Sequence, residues 1–275
     1  MTVSSHAPHA PRAFGLIVVG DEILSGKRLD KHMPKVIELL AARGLSLAWS
    51  EYVGDEPVRI TAALGRAFAS GDIVFSTGGI GATPDDHTRQ CAAAALGVPL
   101  ALHPEAEALI RERMQDTAAE QGVPYEPDRP DNVHRLNMGV FPSGSTIITN
   151  PYNKIPGFSV GDVHFVPGFP VMAWPMIESV LDTRYAGLFT RDRAAEKSVI
   201  VFGAMEATLT PLMLAIEERH GGIKVFSLPS VDHPEYGRHI ELGVKGAATQ
   251  IDAAYAQLLS GLRTFDARLG PELVR

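Results

Sequence analysis

The sequence predicts an α/β fold, with a doubly wound, mostly parallel sheet over roughly the first two thirds of the chain and a small α+β unit after it. Three observations carry this. Phe14-Gly15-Leu16-Ile17-Val18-Val19-Gly20 is a short, continuously apolar run ending in Gly, the pattern of a strand covered on both faces. Runs of this kind then alternate with segments of helical period. Between Asp182 and Lys197 the periodicity lapses and charges gather, so residues 183–197 read as a linker between a domain over 13–182 and a second unit over 198–275.

Residues 1–12, with Ser, His and Pro but no apolar core, read as a disordered tail. After the first strand, 21–30 is a loop. From 29 to 43, Met33, Val36, Ile37 and Leu40 recur at helical spacing, and Gly44 stands where a left-handed cap is expected. A strand over 45–53, a helix over 57–70 and an apolar strand over 72–76 come next, the last opening into Thr77-Gly78-Gly79-Ile80-Gly81. Helices follow over 84–96 and 104–121, then a Pro-rich loop over 122–132, strands over 146–149 and 163–166, and a helix over 172–181. The second unit reads as strand 198–202, helix 209–220, strands 223–228 and 237–244, and helix 249–262. Trp174 and Phe169, near the last helix of the main domain, read as core anchors.

Composition narrows the function classes. With 45% hydrophobic and 21% charged residues the chain is ordinary for a soluble protein, and a net charge of -7 gives no footprint for nucleic acid or an anionic membrane. No stretch approaches the ~18–20 apolar residues of a membrane span. The single cysteine, Cys91, allows neither an intramolecular disulfide nor a thiolate cage; it reads as a small core residue of a cytoplasmic protein. His6 and His9 belong to the tail, His233 and His239 lack the spacing of a zinc pair, and only His87 lies beside acidic residues. Glu206, Arg238 and His239 form no motif.

The strongest chemical feature is Thr77-Gly78-Gly79-Ile80-Gly81-Ala82-Thr83-Pro84-Asp85-Asp86-His87-Thr88-Arg89. Three glycines let backbone approach a phosphate, and Pro84 is placed to begin a helix whose positive end adds to the attraction. Asp85 and Asp86 beside such a site make sense where a hard cation such as Mg²⁺ bridges them to ligand oxygens. The pattern equally allows a plain turn whose Asp pair caps the helix. Gly20-Asp21-Glu22-Ile23-Leu24-Ser25-Gly26 also follows a buried strand, which brings a second Gly-bearing loop to the same sheet edge.

Taken in order, these two runs, Thr88-Arg89, Asn150-Pro151, Pro156-Gly157-Phe158 and Pro167-Gly168-Phe169-Pro170 resemble the CinA-like (competence/damage-inducible) proteins and their MoaB/Mog-like molybdopterin-binding domain, over about residues 13–182. The resemblance implies a three-layer αβα domain that binds a pterin or nucleotide phosphate, forms homo-oligomers and, in CinA-like proteins, hydrolyses ADP-ribose with a divalent metal. It implies catalytic and metal-binding roles for Asp85 and Asp86, and ligand binding by Gly20, Asp21, Glu22, Ser25, Gly26, Asp30, Thr77, Gly78, Gly79, Gly81, Thr83, Thr88, Asn150, Lys154, Pro167 and Gly168. Two departures stand out. Asn153-Lys154-Ile155 replaces the usual Gly-Thr-Ala, with Lys154 a candidate cation for phosphate, and Met172 takes the place of an acid. The implied alternatives are a non-catalytic molybdopterin-binding module and a pterin adenylyltransferase. No counterpart of the nicotinamide-nucleotide amidase domain of full-length CinA-like proteins is expected, and residues 198–275 resemble the small α+β segment of related short forms.

Overall fold

The computed structural model describes residues 12–190, 194–265 and 267–274, so the tail expectation lies outside it up to residue 11. Arg12 is part of the folded chain: its Nε donates to the Gly71 carbonyl (3.2 Å) and its guanidinium pairs with Asp162. The chain divides into two compact units, Met1–Phe189 and Thr190–Arg275.

The first unit is a three-layer αβα sandwich around a mostly parallel sheet. Its elements run β1 (Phe14–Val19), α1 (Asp21–Leu24), α2 (His32–Ala41), β2 (Leu47–Val53), α3 (Pro57–Ser70), β3 (Ile73–Thr77) and α4 (Thr88–Leu96), then β4 (Leu100–Leu102), α5 (Pro104–Gln121), α6 (Pro130–Arg135), β5 (Val140–Pro142), β6 (Thr146–Ile148), β7 (Gly157–Val160), β8 (Val163–Val166) and α7 (Pro170–Arg184). The sheet order is β2-β1-β3-β8-β7-β6, parallel from β2 to β8 and antiparallel at β7 and β6. All six residues of β1 are buried because alternate side chains enter different cores. Leu16 and Val18 join α2 and α7 on one face; Ile17 and Val19 join α3, α4 and Cys91 on the other.

Several elements differ from the sequence expectation for local reasons. The 21–30 loop contains the single turn α1. The buried face of α2 is His32, Val36, Leu39 and Leu40, while Ile37 is 46% exposed. α4 begins at Thr88 and not at Pro84, because the Asp86 amide donates to the Thr83 carbonyl and closes a turn first. The Pro-rich loop ends in α6, with Pro130 at its first turn, where a fixed φ and a missing N–H cost nothing. Cys91 is buried, and burial pushes its thiol pKa up.

α2 and α7 are clamped at their ends. Arg43 donates to Asp182 through Nε (2.6 Å) and Nη2 (2.7 Å) and to Glu178 (3.2 Å). The two carboxylates are half exposed, so screening limits the gain. Arg43→Ala is expected to cost about 1 kcal/mol by urea denaturation; a loss above about 3 kcal/mol would contradict a surface clamp.

The second unit comprises β9 (Ala194–Phe202), α8 (Glu206–Arg219), β10 (Lys224–His233), β11 (Gly237–Ala247), α9 (Ala248–Leu262) and β12 (Arg268–Val274). All its pairings are antiparallel, in the order β10-β11-β9-β12. With the unanticipated β12 this is a split β-α-β-β-α-β arrangement. Val199, Val201, Leu242 and Val244 pack beneath Leu209 and Ile216 of α8 and Ile251 and Leu258 of α9. Among the described residues no helix is long and apolar enough to cross a membrane.

Candidate functional site

From β1 the chain steps outward to β2, then crosses back to β3 on the other side of β1, so the order reverses between β1 and β3. Ligand crevices form at such reversals, outside the carboxyl ends of the strands. Here the loops leaving β1, β3 and β8 meet around a cleft of ≈ 380 Å³. Gly20 and Glu22 come from the first loop; Gly78, Gly79, Gly81, Thr83, Asp85 and Asp86 from the second; Pro167 and Gly168 from the third.

Close approach of the three loops depends on glycine at two positions. Gly78 has φ +96°, donates its N–H to the Val166 carbonyl (3.1 Å), and a Cβ there would lie 2.3 Å from the Val19 carbonyl oxygen. Gly79 has φ +67°, and its Cβ would lie 2.2 Å from Thr88 Oγ1. The Thr88 hydroxyl donates to the Gly78 carbonyl (3.0 Å) and its amide to the Gly79 carbonyl (3.0 Å), so this buried threonine holds the turn from behind. Asp86 Oδ2 accepts from both the amide and hydroxyl of Thr83. Asp86 thereby closes the turn itself and does not cap α4, whose N-terminus has no side-chain cap.

Behind the turn, Arg89 is 4% exposed, with Nη2 donating to the Gly81 carbonyl (2.5 Å) and Nη1 to the Asn137 carbonyl. Burial lowers its pKa from the ordinary guanidinium value, with the charge of Asp86 opposing. Asp55, unanticipated from sequence, enters from the loop after β2: its carboxylate accepts the Asp21 N–H (2.9 Å) while Asp21 accepts the Asp55 N–H (3.1 Å). Burial, with the charges of Asp21, Glu22 and Asp85, raises the Asp55 pKa. Arg28 and Phe169 complete the wall, and Phe169 is 56% exposed, which corrects its assignment to the core. Trp174 packs partly buried against the core of α2 and α7. The Pro167–Phe169 wall is steadied by buried His32, whose Nε2–H donates to the Gly168 carbonyl (3.0 Å).

The fit for a divalent cation can be judged from the donor set. Among the described residues no three His, Cys, Asp or Glu side chains are grouped to hold a metal. Asp85 and Asp86 line one wall, and a cation between them and a ligand would complete its shell from phosphate oxygens and water, the usual arrangement for Mg²⁺. Two carboxylates do not make a protein-built cage, and one oxygen of Asp86 is already bonded to Thr83.

The model of a family described as probable molybdopterin binding domain matches residues 15–186. The chain belongs to this molybdopterin-binding family. A CinA-like protein of Anaeromyxobacter dehalogenans is 33% identical over 57% of this chain and 37% of its own length, so the chain spans little more than a third of that relative. A protein of Pyrobaculum calidifontis is 28% identical over 92% of this chain and 97% of its own. The crystal structure of the protein CinA with unknown function from Thermoplasma acidophilum has TM-score 0.53 and 26% identity, covering 62% of this chain and 98% of that one.

Within the molybdopterin-binding domain several residues expected at the ligand stand elsewhere. Ser25 and Gly26 end α1 outside the cleft, and Asp21 serves as the brace to Asp55. Asp30 caps α2, accepting from the amides of His32 (2.8 Å) and Met33 (3.0 Å) and from the Tyr52 hydroxyl (2.8 Å). The Thr77 side chain is buried at the end of β3, its Oγ1 without a protein partner. Asn150, 1% exposed, ties its own loop together through Asn153 (2.7 Å) and the Ile155 carbonyl (2.9 Å). Lys154 does not reach the cleft. Held at φ +64°, it pairs with Glu112 (2.7 Å) and Asp116 on α5. Met172 faces Asn153, whose Nδ2 lies 3.7 Å from its sulfur.

Proposed function

We propose that the cleft binds a small phosphorylated ligand of the molybdopterin or ADP-ribose type, and that with a divalent cation it hydrolyses an ADP-ribose-like pyrophosphate. The observation that carries the reading is the meeting of three parallel-strand ends around the glycine turn, where Gly79 and Gly81 line the cleft. The turn offers a phosphate the half-buried backbone of Gly79 and Gly81, which carries no Cβ, while buried Gly78 is committed to Val166 and Thr88. Thr83 and Asp86 fix its curvature, and exposed Phe169 gives a ring or pterin an apolar surface. Asp85 and Asp86 would hold the cation, which would supply Lewis-acid polarisation of the pyrophosphate. Water would add to one phosphorus as the bridging P–O bond breaks, giving AMP and ribose 5-phosphate, and the released proton would pass to solvent or a wall carboxylate.

Asp85→Asn is the test, because the bond from the Thr83 amide that closes the turn goes to Asp86. With ADP-ribose and Mg²⁺ or Mn²⁺, AMP formation is expected to fall on the order of 100-fold in this variant. No AMP from the unsubstituted protein under either metal removes the hydrolytic half of the proposal. One observation favours a second reading, a binding module without turnover: Asp86 Oδ2 is already occupied by two hydrogen bonds from Thr83. Calorimetric titration separates them, since recovery of intact ligand supports the module.

A further inference from the structure

The cleft presents a charge problem to the ligand proposed for it. Glu22, Asp55, Asp85 and Asp86 line it, against Arg28 as the one cation in the lining among the described residues. Lys154, the cation suggested by sequence, is committed to α5. One more positive charge lies directly beneath the turn. Arg89 is nearly enclosed, forms no ion pair among the described residues, donates only to the carbonyls of Gly81 and Asn137, and leaves its buried Nε without a partner. A guanidinium hydrogen-bonded to carbonyls has no paired carboxylate to neutralise it, and in a poorly screened interior its charge acts on Asp86 and, through the turn, on whatever occupies the other side.

We propose that Arg89 is a positioning residue and the buried counter-charge of the glycine turn, shifting the cleft's relative affinity toward ligands that carry a pyrophosphate over those that carry a single phosphate. This rests on the phosphate-binding reading above. Arg89 fixes the Gly81 carbonyl, so that the turn keeps its curvature, and offsets part of the repulsion from the four wall carboxylates. That repulsion grows with ligand charge, and so does the compensation.

The test is calorimetric titration of the full chain with inorganic pyrophosphate and, separately, inorganic phosphate, for the unsubstituted protein, Arg89→Gln and Arg89→Lys. Glutamine keeps an N–H donor but removes the charge; lysine keeps the charge but loses the fork. The expected result is that Arg89→Gln loses about tenfold or more of the preference for pyrophosphate over phosphate, while Arg89→Lys keeps it within about threefold. A simple structural role would weaken both ligands alike and leave their ratio unmoved. An unchanged ratio in Arg89→Gln overturns the assignment, as does an equal loss in both variants. Should Arg89→Gln not fold, Arg89→Lys still decides, because a lost preference there overturns the role of charge. Absence of pyrophosphate binding by the unsubstituted protein overturns the phosphate-binding reading itself, and this assignment with it.

Discussion

Gly78→Ala is expected to destabilise the first unit by about 3 kcal/mol or more, a large effect for a single methyl. Two costs add. At φ +96° an L side chain is strained, on the order of 1–2 kcal/mol. The added Cβ also meets the Val19 carbonyl oxygen at 2.3 Å, a backbone atom of the adjacent central strand that cannot swing aside as a flexible side chain would. Relief requires β1 and β3 to separate, which disturbs the bond from the Gly78 N–H to the Val166 carbonyl and therefore all three walls of the cleft. Gly26→Ala is the matched control: Gly26 has a similar φ of +73° but no atom within 4 Å of an added methyl, so about 1 kcal/mol of strain is all that is expected. Urea denaturation of both variants checks this. Equal losses would mean that backbone conformation alone matters and that the approach of β1 to β3 is not tight.

The contrast between those two glycines indicates which parts of the site were legible in the sequence. Both stand in Gly-bearing loops after apolar strands, and the strands themselves were unambiguous because β1 is buried on both faces. The αβα layering and the meeting of the loops followed from alternation and strand polarity. The direction of individual side chains did not. Thr88 lies within the motif, yet its hydroxyl turns back to the Gly78 carbonyl. Lys154 looks like a free loop cation until α5 brings up Glu112 and Asp116, 42 and 38 residues away in sequence. Ile37 and Leu39 are both apolar within α2, and only packing against α7 chooses Leu39. Asp55 carries no local signal beyond its place after β2, at the same sheet edge as the other loops; the convergence of parallel-strand ends was the one rule able to find it.

Acidification is expected to destabilise the first unit through His164, by about 2 kcal/mol between pH 6.5 and pH 5. His164 is fully buried at the start of β8. Its Nε2 meets the Tyr185 hydroxyl at 2.6 Å, and that hydroxyl donates to Asp162 (2.8 Å), so Nε2 carries the proton. Nδ1 accepts from the Ser159 hydroxyl (2.7 Å) and has no room for a second proton without breaking that bond. Burial is the main reason its pKa is pulled from 6.5 to about 3; Arg184 and Arg12 add to the shift and Asp162 opposes it. The sign follows from which state takes up the proton. Between pH 6.5 and 3 the unfolded chain binds a proton at this histidine and the folded chain does not, so stability is full above pH 6.5 and declines by about 1.4 kcal/mol for each unit below it. Other carboxylates also titrate in acid, so the informative quantity is the difference in slope between the unsubstituted protein and His164→Phe, not the absolute stability of either. The phenylalanine variant forfeits the bonds to Ser159 and Tyr185 at every pH, which lowers its curve as a whole without tilting it. Urea denaturation at intervals from pH 7.5 to 4.5 should show two curves converging as the pH falls. Parallel curves would place the proton uptake elsewhere and refute the role assigned to His164.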